Sequence, residues 1–129
     1  MSRESSEKIL LIDDSELSLE ICAEMLEGAG FDVRTSATVD NFDEVLEGWR
    51  PDVILTDVNM PGISGVDLCR KLKSRYDTAH VPVVLLSALD AKKLEVLARE
   101  CEADGFLSKA DGLDKLPDEL SALIDSTLF

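Results

Sequence analysis

The chain predicts an α/β fold: a single doubly wound five-stranded parallel sheet in the order 2-1-3-4-5, with five helices on two faces. Three observations predict it. Apolar runs recur five times at intervals of roughly 20 to 30 residues, each followed by a helical pattern. The first, third and fourth runs are continuously apolar, as strands covered on both faces should be. Strict alternation of strand and helix implies right-handed crossovers, and five such strands commonly adopt that order, with a crevice outside the carboxyl ends of strands 1 and 3.

Taken in order, the strands are Ile9-Leu10-Leu11-Ile12, Phe31-Asp32-Val33, Val53-Ile54-Leu55, Val83-Val84-Leu85-Leu86 and Gly105-Phe106-Leu107. The second and fifth are shorter and more polar, which suits sheet edges. The first helix carries a stripe of Leu17, Ile21, Met25 and Leu26, starts near Ser15 as N-cap and stops at Gly28 and Gly30. Phe42, Val45, Leu46 and Trp49 mark the second helix, ended by Pro51. Val66, Cys69 and Leu72 mark the third, and Leu94, Leu97 and Ala98 the fourth. Leu113, Leu116, Leu120, Leu123, Ile124 and Leu128 mark the last, where Pro117 is tolerable only within the first turn.

A chain of 129 residues, 45% of them hydrophobic, is one domain able to bury a core. Residues 1–7 read as a short polar tail and residues 8–129 as that domain. No apolar stretch approaches ~18 residues, so no membrane-spanning helix is expected. The polar start lacks a signal-peptide segment, which places the expected location in the cytoplasm. Thirteen basic against twenty-seven acidic residues leave a net charge of −14, which disfavours nucleic acid or an anionic membrane as a direct partner. The bland reading of that excess is solubility; a sharper one is a raised local cation concentration or a basic partner. Cys22, Cys69 and Cys101 are odd in number and far apart, and read as small buried hydrophobes in a reducing compartment.

Polar residues stand at four strand ends. Asp13-Asp14 follow the first strand, Asp57 the third, Ser87 the fourth and Lys109 the fifth. In the predicted order the carboxylates end adjacent strands about 4.8 Å apart. Mutual repulsion makes such crowding unfavourable without a cation. A hard divalent ion resolves it: magnesium suits two carboxylates, a backbone carbonyl, retained waters and a phosphate oxygen. Ser87 can donate a hydroxyl, and Lys109 a point charge for a phosphoryl oxygen. Taken singly, Asp14 is a helix cap, Asp57 a turn residue, Lys109 a surface lysine, Ser87 a cap for the fourth helix and Phe106 core. Gly62 and Gly65 serve backbone geometry, and His80 is a solvated loop residue. The ordered set reads as a site.

These residues carry a family likeness. The sequence resembles the receiver domain of two-component response regulators over roughly Lys8 to Leu128. It does so through Asp13-Asp14, Asp57-Val58-Asn59-Met60-Pro61-Gly62 with Gly65, Ser87-Ala88 and Lys109. The resemblance implies a flavodoxin-like fold and a signalling module rather than an enzyme. Asp57 would be the phosphoacceptor, taking its group from a phosphohistidine on a histidine kinase or phosphotransfer protein. Asp14, Asp57 and the backbone carbonyl of Asn59 would hold Mg2+ (Mn2+ as the alternative), with Asp13 acting directly or through water. Lys109 and Ser87 would bind phosphoryl oxygens, while the Asn59 side chain would tune hydrolysis. Ser87 and Phe106 would form a switch read on the helix 4, strand 5 and helix 5 face by an unidentified protein effector. The oligomeric expectation is a monomer or a phosphorylation-dependent homodimer. A stand-alone regulator and a fragment of a longer protein both remain open.

Two departures touch the output region. Ala110 follows Lys109 where the family usually has proline, often after a cis bond; before a non-proline residue cis costs ~2.5–4 kcal/mol, so either trans or a strained exception is expected. Glu102-Ala103-Asp104 replaces the usual Gly-Ala-Asp, so Glu102 is disfavoured in a left-handed cap. Leu89 is apolar and is expected to shield the acyl phosphate from water. Two rival readings stand beside the receiver. An aspartate-dependent phosphohydrolase wants a second acid two residues after its nucleophile, and Asn59 stands there instead. A receiver-like scaffold would dimerise without phosphorylation and would fail to bind acetyl phosphate or a beryllium fluoride mimic.

Overall fold

A computed structural model describes residues 7–38, 42–60, 63–75 and 78–128. The strands are β1 (Lys8–Ile12), β2 (Asp32–Ser36), β3 (Val53–Thr56), β4 (Val83–Ser87) and β5 (Gly105–Ser108). They form one parallel sheet in the order β2-β1-β3-β4-β5, as the apolar runs predict. Between them lie α1 (Glu16–Gly28), α2 (Phe42–Leu46), α3 (Gly65–Ser74) and α4 (Ala91–Cys101), with α5 (Leu116–Leu123) last and prolonged by a wider turn, Ile124–Leu128.

Period-two alternation divides the strand side chains between two layers. Ile9 and Leu11 of β1, with Val53, Leu55, Val84, Leu86 and Leu107, face Leu19, Cys22 and Leu26 of α1 and Leu116, Leu120 and Ile124. Leu10 and Ile12, with Ile54, Val83 and Leu85, face Leu68, Cys69 and Leu72 of α3 and Leu94, Ala98 and Cys101 of α4. Both faces are therefore dry, which is why β1, β3 and β4 are apolar throughout. The edge strands are β2 and β5, the two that read as more polar. All three thiols are buried, as expected of small apolar residues.

Helix ends follow local chemistry. Ser15 caps α1 by accepting the Ser18 N–H on its hydroxyl, and the chain leaves the helix through Ala29 and Gly30, the latter at φ +100°. Asp90, not Ser87, caps α4 through the Lys93 N–H. Pro117 sits in the first turn of α5, the one place its missing N–H is harmless.

Four details differ from the sequence expectation. The buried face of α1 is Leu19, Cys22 and Leu26, while of the expected stripe Leu17 is 67% exposed and Ile21 and Met25 are half-buried. The second helix stops at Leu46 rather than running to Pro51, because Gly48 takes φ +66° and turns the chain. Trp49 is still buried, 7% exposed, but outside the helix. It lies at the foot of the sheet, near the start of β1 and β2: its indole N–H donates to Asp32 at 3.5 Å, and the Arg34 guanidinium lies 4.7 Å from the ring centre. A short antiparallel ladder pairs Asn59–Met60 with Ile63–Ser64, which apolar periodicity did not foreshadow. Glu102 does adopt the left-handed cap, φ 59° and ψ 35°. The next residues then knit α4 to the sheet: Ala103 N–H reaches the Ala98 carbonyl at 2.9 Å, and Asp104 accepts both the Val83 N–H at 2.8 Å and the Lys73 ammonium at 2.5 Å.

Residues 1–6 of the expected polar tail and the Pro61-Gly62 turn lie outside the described residues, as do the side chains of Phe42, Asn59, Val66 and Leu128. The Glu7 carbonyl already accepts the Asp32 N–H at 3.0 Å.

Candidate functional site

The sheet's hydrogen bonding runs one residue past the strands and so fixes the acids. Ile12 pairs with Ser36 on one side and Thr56 on the other. Beyond it, the Asp13 N–H donates to the Ser36 carbonyl at 3.2 Å, and the Asp57 N–H donates to the Ile12 carbonyl at 2.9 Å. Asp13, Asp14 and Asp57 therefore leave the same end of adjacent strands, and each offers a carboxylate oxygen within 4.8 Å of the others. Asp13 is buried, Asp57 half-buried and Asp14 exposed, so the cluster opens to solvent on the Asp14 side.

Each side chain has identifiable supports. Asp57 Oδ1 accepts the Val58 N–H at 2.8 Å, which orients the carboxylate. Asp13 Oδ1 accepts the Ser15 N–H at 3.0 Å, and its Oδ2 accepts the Lys109 ammonium at 2.8 Å. Burial pushes the Asp13 carboxyl up, but Lys109, the Ser15 N–H and the Ser18 hydroxyl outweigh it and hold the group below the usual carboxylate range. Lys109 also donates to the Ser18 hydroxyl at 3.0 Å. Beneath them lies Cys22, whose thiol burial pushes up while the nearby Lys109 partly offsets the shift.

Ser87 and Ser108 pair across β4 and β5 and shape the loop after each strand. The Ser87 hydroxyl accepts the Leu89 N–H at 3.2 Å. The Ser108 hydroxyl donates to the Leu89 carbonyl at 2.8 Å and accepts the Ala110 N–H at 3.1 Å. This last contact starts a tight turn, Lys109–Asp111, that aims Lys109 across the sheet end. There is no cis peptide bond among the described residues, so the Lys109–Ala110 bond is trans, as one of the two sequence expectations had it. Phe106 is half-buried and packs against the α3/α4 layer.

The predicted acids and lysine thus come together, with Lys109 resting on Asp13. Ser87 spends its hydroxyl on its own loop. Sequence reasoning missed Ser18, which meets Lys109 across 91 residues of chain. The only hint was its place one turn before Cys22, on the core side of α1. Among the described residues three carboxylates meet here beside the Lys109 ammonium, and all three offer hard oxygen donors. That donor set fits a divalent cation of the magnesium class.

The chain is similar to known proteins in both sequence and fold. Residues 9–121 match the family model of the response regulator receiver domain. The chain is 36% identical over 104 residues to the response regulator PleD of Caulobacter vibrioides, covering 81% of this chain and 23% of PleD. It is 27% identical to the polar-differentiation response regulator DivK of Brucella ovis, covering 81% and 85%. Among solved structures, the receiver domain of a signal transduction histidine kinase from Syntrophus aciditrophicus superposes with a TM-score of 0.76 at 32% identity, covering 93% of this chain and 91% of that one. The chain thus spans about a quarter of PleD but most of DivK.

Proposed function

This chain belongs to the response regulator receiver domain family, and from that premise we propose that it accepts a phosphoryl group on Asp57 and passes the change to a protein partner. Receiver domains are signalling domains that interact with histidine kinases or phosphotransfer proteins. The convergence of Asp13, Asp14 and Asp57 within 4.8 Å, beside a lysine already in the cluster, supports the reading most strongly.

Asp14, Asp57 and the Asn59 backbone carbonyl would hold Mg2+, or Mn2+ in its place, with Asp13 direct or through water. A bound divalent ion supplies charge neutralisation for the transferring group. The chain's own residues do the rest. A carboxylate oxygen of Asp57, oriented by the Val58 N–H, attacks the phosphorus of a phosphohistidine. The new P–O bond forms as the P–N bond breaks, and the imidazole leaves with the electron pair. Lys109 moves from Asp13 to a phosphoryl oxygen, and Ser87 gives up the Leu89 N–H to donate to another. Phe106 fills the space the serine vacates, a two-state element biased by one modification.

The readout surface is the face of α4, β5 and α5, offered to an effector protein by a monomer or by a homodimer formed on phosphorylation. Residues 8–129 act as the receiver unit behind a polar tail, 1–7. Among the described residues no helix is long and apolar enough to cross a membrane, which fits a cytoplasmic site of action.

Intact-mass spectrometry after exposure to acetyl phosphate and Mg2+ tests the chemistry. A single phosphoryl adduct is expected on the wild type and none on Asp57→Asn. An adduct of equal yield on both, or on neither, removes the proposal.

A further inference from the structure

The resting position of Lys109 is built, not incidental. Its ammonium has three N–H donors, and two are placed: one on Asp13 Oδ2 at 2.8 Å, one on the Ser18 hydroxyl at 3.0 Å. Ser18 is itself fixed, because its N–H is bound by the Ser15 cap at 3.3 Å. The same cap residue donates its own N–H to Asp13 Oδ1. The first turn of α1 therefore grips both members of the pair. The Lys109 side chain is 18% exposed and that of Asp13 5%, so little water competes for either.

We propose that Ser18 is a positioning residue that holds Lys109 on Asp13 and thereby opposes divalent-cation binding at the acidic cluster. The inference rests on the phosphoacceptor reading of that cluster. Lys109 and a cation attract the same carboxylate, and each weakens the other's hold by charge repulsion. A group that stabilises only the lysine-bound arrangement shifts the balance away from the cation-bound one. The Ser18 hydroxyl also favours the Asp13 carboxylate, but its 3.0 Å bond to the Lys109 ammonium exists only in the lysine-bound arrangement. Its removal therefore makes the cation bind more tightly, whereas a serine with no preference between the two arrangements would leave the affinity unchanged.

Calorimetric titration of the full chain with MgCl2 tests this on wild type, Ser18→Ala and Ser18→Thr. Alanine is well tolerated in helices, so the variant keeps its fold. Losing one hydrogen bond to a charged group should tighten Mg2+ binding by about tenfold or more in Ser18→Ala, with Ser18→Thr restoring the wild-type constant. On a Lys109→Met background the same serine change should leave the affinity unmoved. In cation-free protein, the slowly exchanging 15N-ammonium resonance expected of Lys109 should disappear on Ser18→Ala. Equal or weaker Mg2+ binding in Ser18→Ala, or an equal gain without Lys109, overturns the inference alone. A wild type that binds no Mg2+ at millimolar concentration overturns both this inference and the phosphoacceptor reading.

Discussion

Asp13 is the residue where burial and charge are most closely opposed. The residue is buried, yet its carboxyl is held below the ordinary range, because the Lys109 ammonium and the Ser15 N–H favour the charged form. A depressed folded pKa contributes stability that is present above the unfolded value, ~3.9, and is lost as pH falls through the lower folded value. The difference in unfolding free energy between wild type and Asp13→Asn, read from urea curves, should therefore contract between about pH 5 and about pH 3. A gap that stays constant would show that the pair contributes nothing through ionisation. At this scale the sequence was legible wherever a polar residue ended an apolar run, since the pleat and the parallel ladder fix where such a residue goes. It was silent on Ser18. That contact exists only because the sheet brings the end of β5 over the start of α1, and no local pattern encodes it.

Among the elements, α4 shows how a helix can end against its own propensity. Glu102 closes it at φ 59°, where a side chain is disfavoured and glycine is not. Ala103 and Asp104 hold the turn from both sides, the latter bonded to Val83 of β4 and Lys73 of α3. Glu102→Gly should therefore stabilise the protein by about 1 kcal/mol, seen as a higher denaturant midpoint at unchanged slope. A lower midpoint would mean that the glutamate side chain contributes more than the backbone strain removes. The end of α4 was readable through the family resemblance, which sets Glu102-Ala103-Asp104 at the junction before the fifth strand. The end of α2 was not. Phe42, Val45, Leu46 and Trp49 have helical spacing, and only the positive φ of Gly48 separates the last from the rest.

The whole molecule is two apolar layers divided by one sheet, and its thiols report on both. Cys22 lies in the α1/α5 layer, Cys69 and Cys101 in the α3/α4 layer. Burial first, and then the neighbouring Cys101, push the Cys69 thiol up to about 12. Thiolate is the reactive form, so a thiol reagent at about pH 8 should label the folded chain very slowly and all three cysteines once it is unfolded. Prompt labelling of native protein would mean that one layer opens readily. The strand order was legible from alternation alone, because crossover handedness leaves few arrangements. The choice of Asp13 as the resting partner of Lys109 was not, since it depends on three-dimensional competition among several acids.

The chain's single indole adds a practical consequence. Trp49 is anchored between Asp32 and Arg34 at the opposite rim of the sheet from the acids. Its fluorescence will therefore follow global melting faithfully while staying nearly dark to chemistry at the far rim. An optical reporter of that chemistry has to be engineered close to β5.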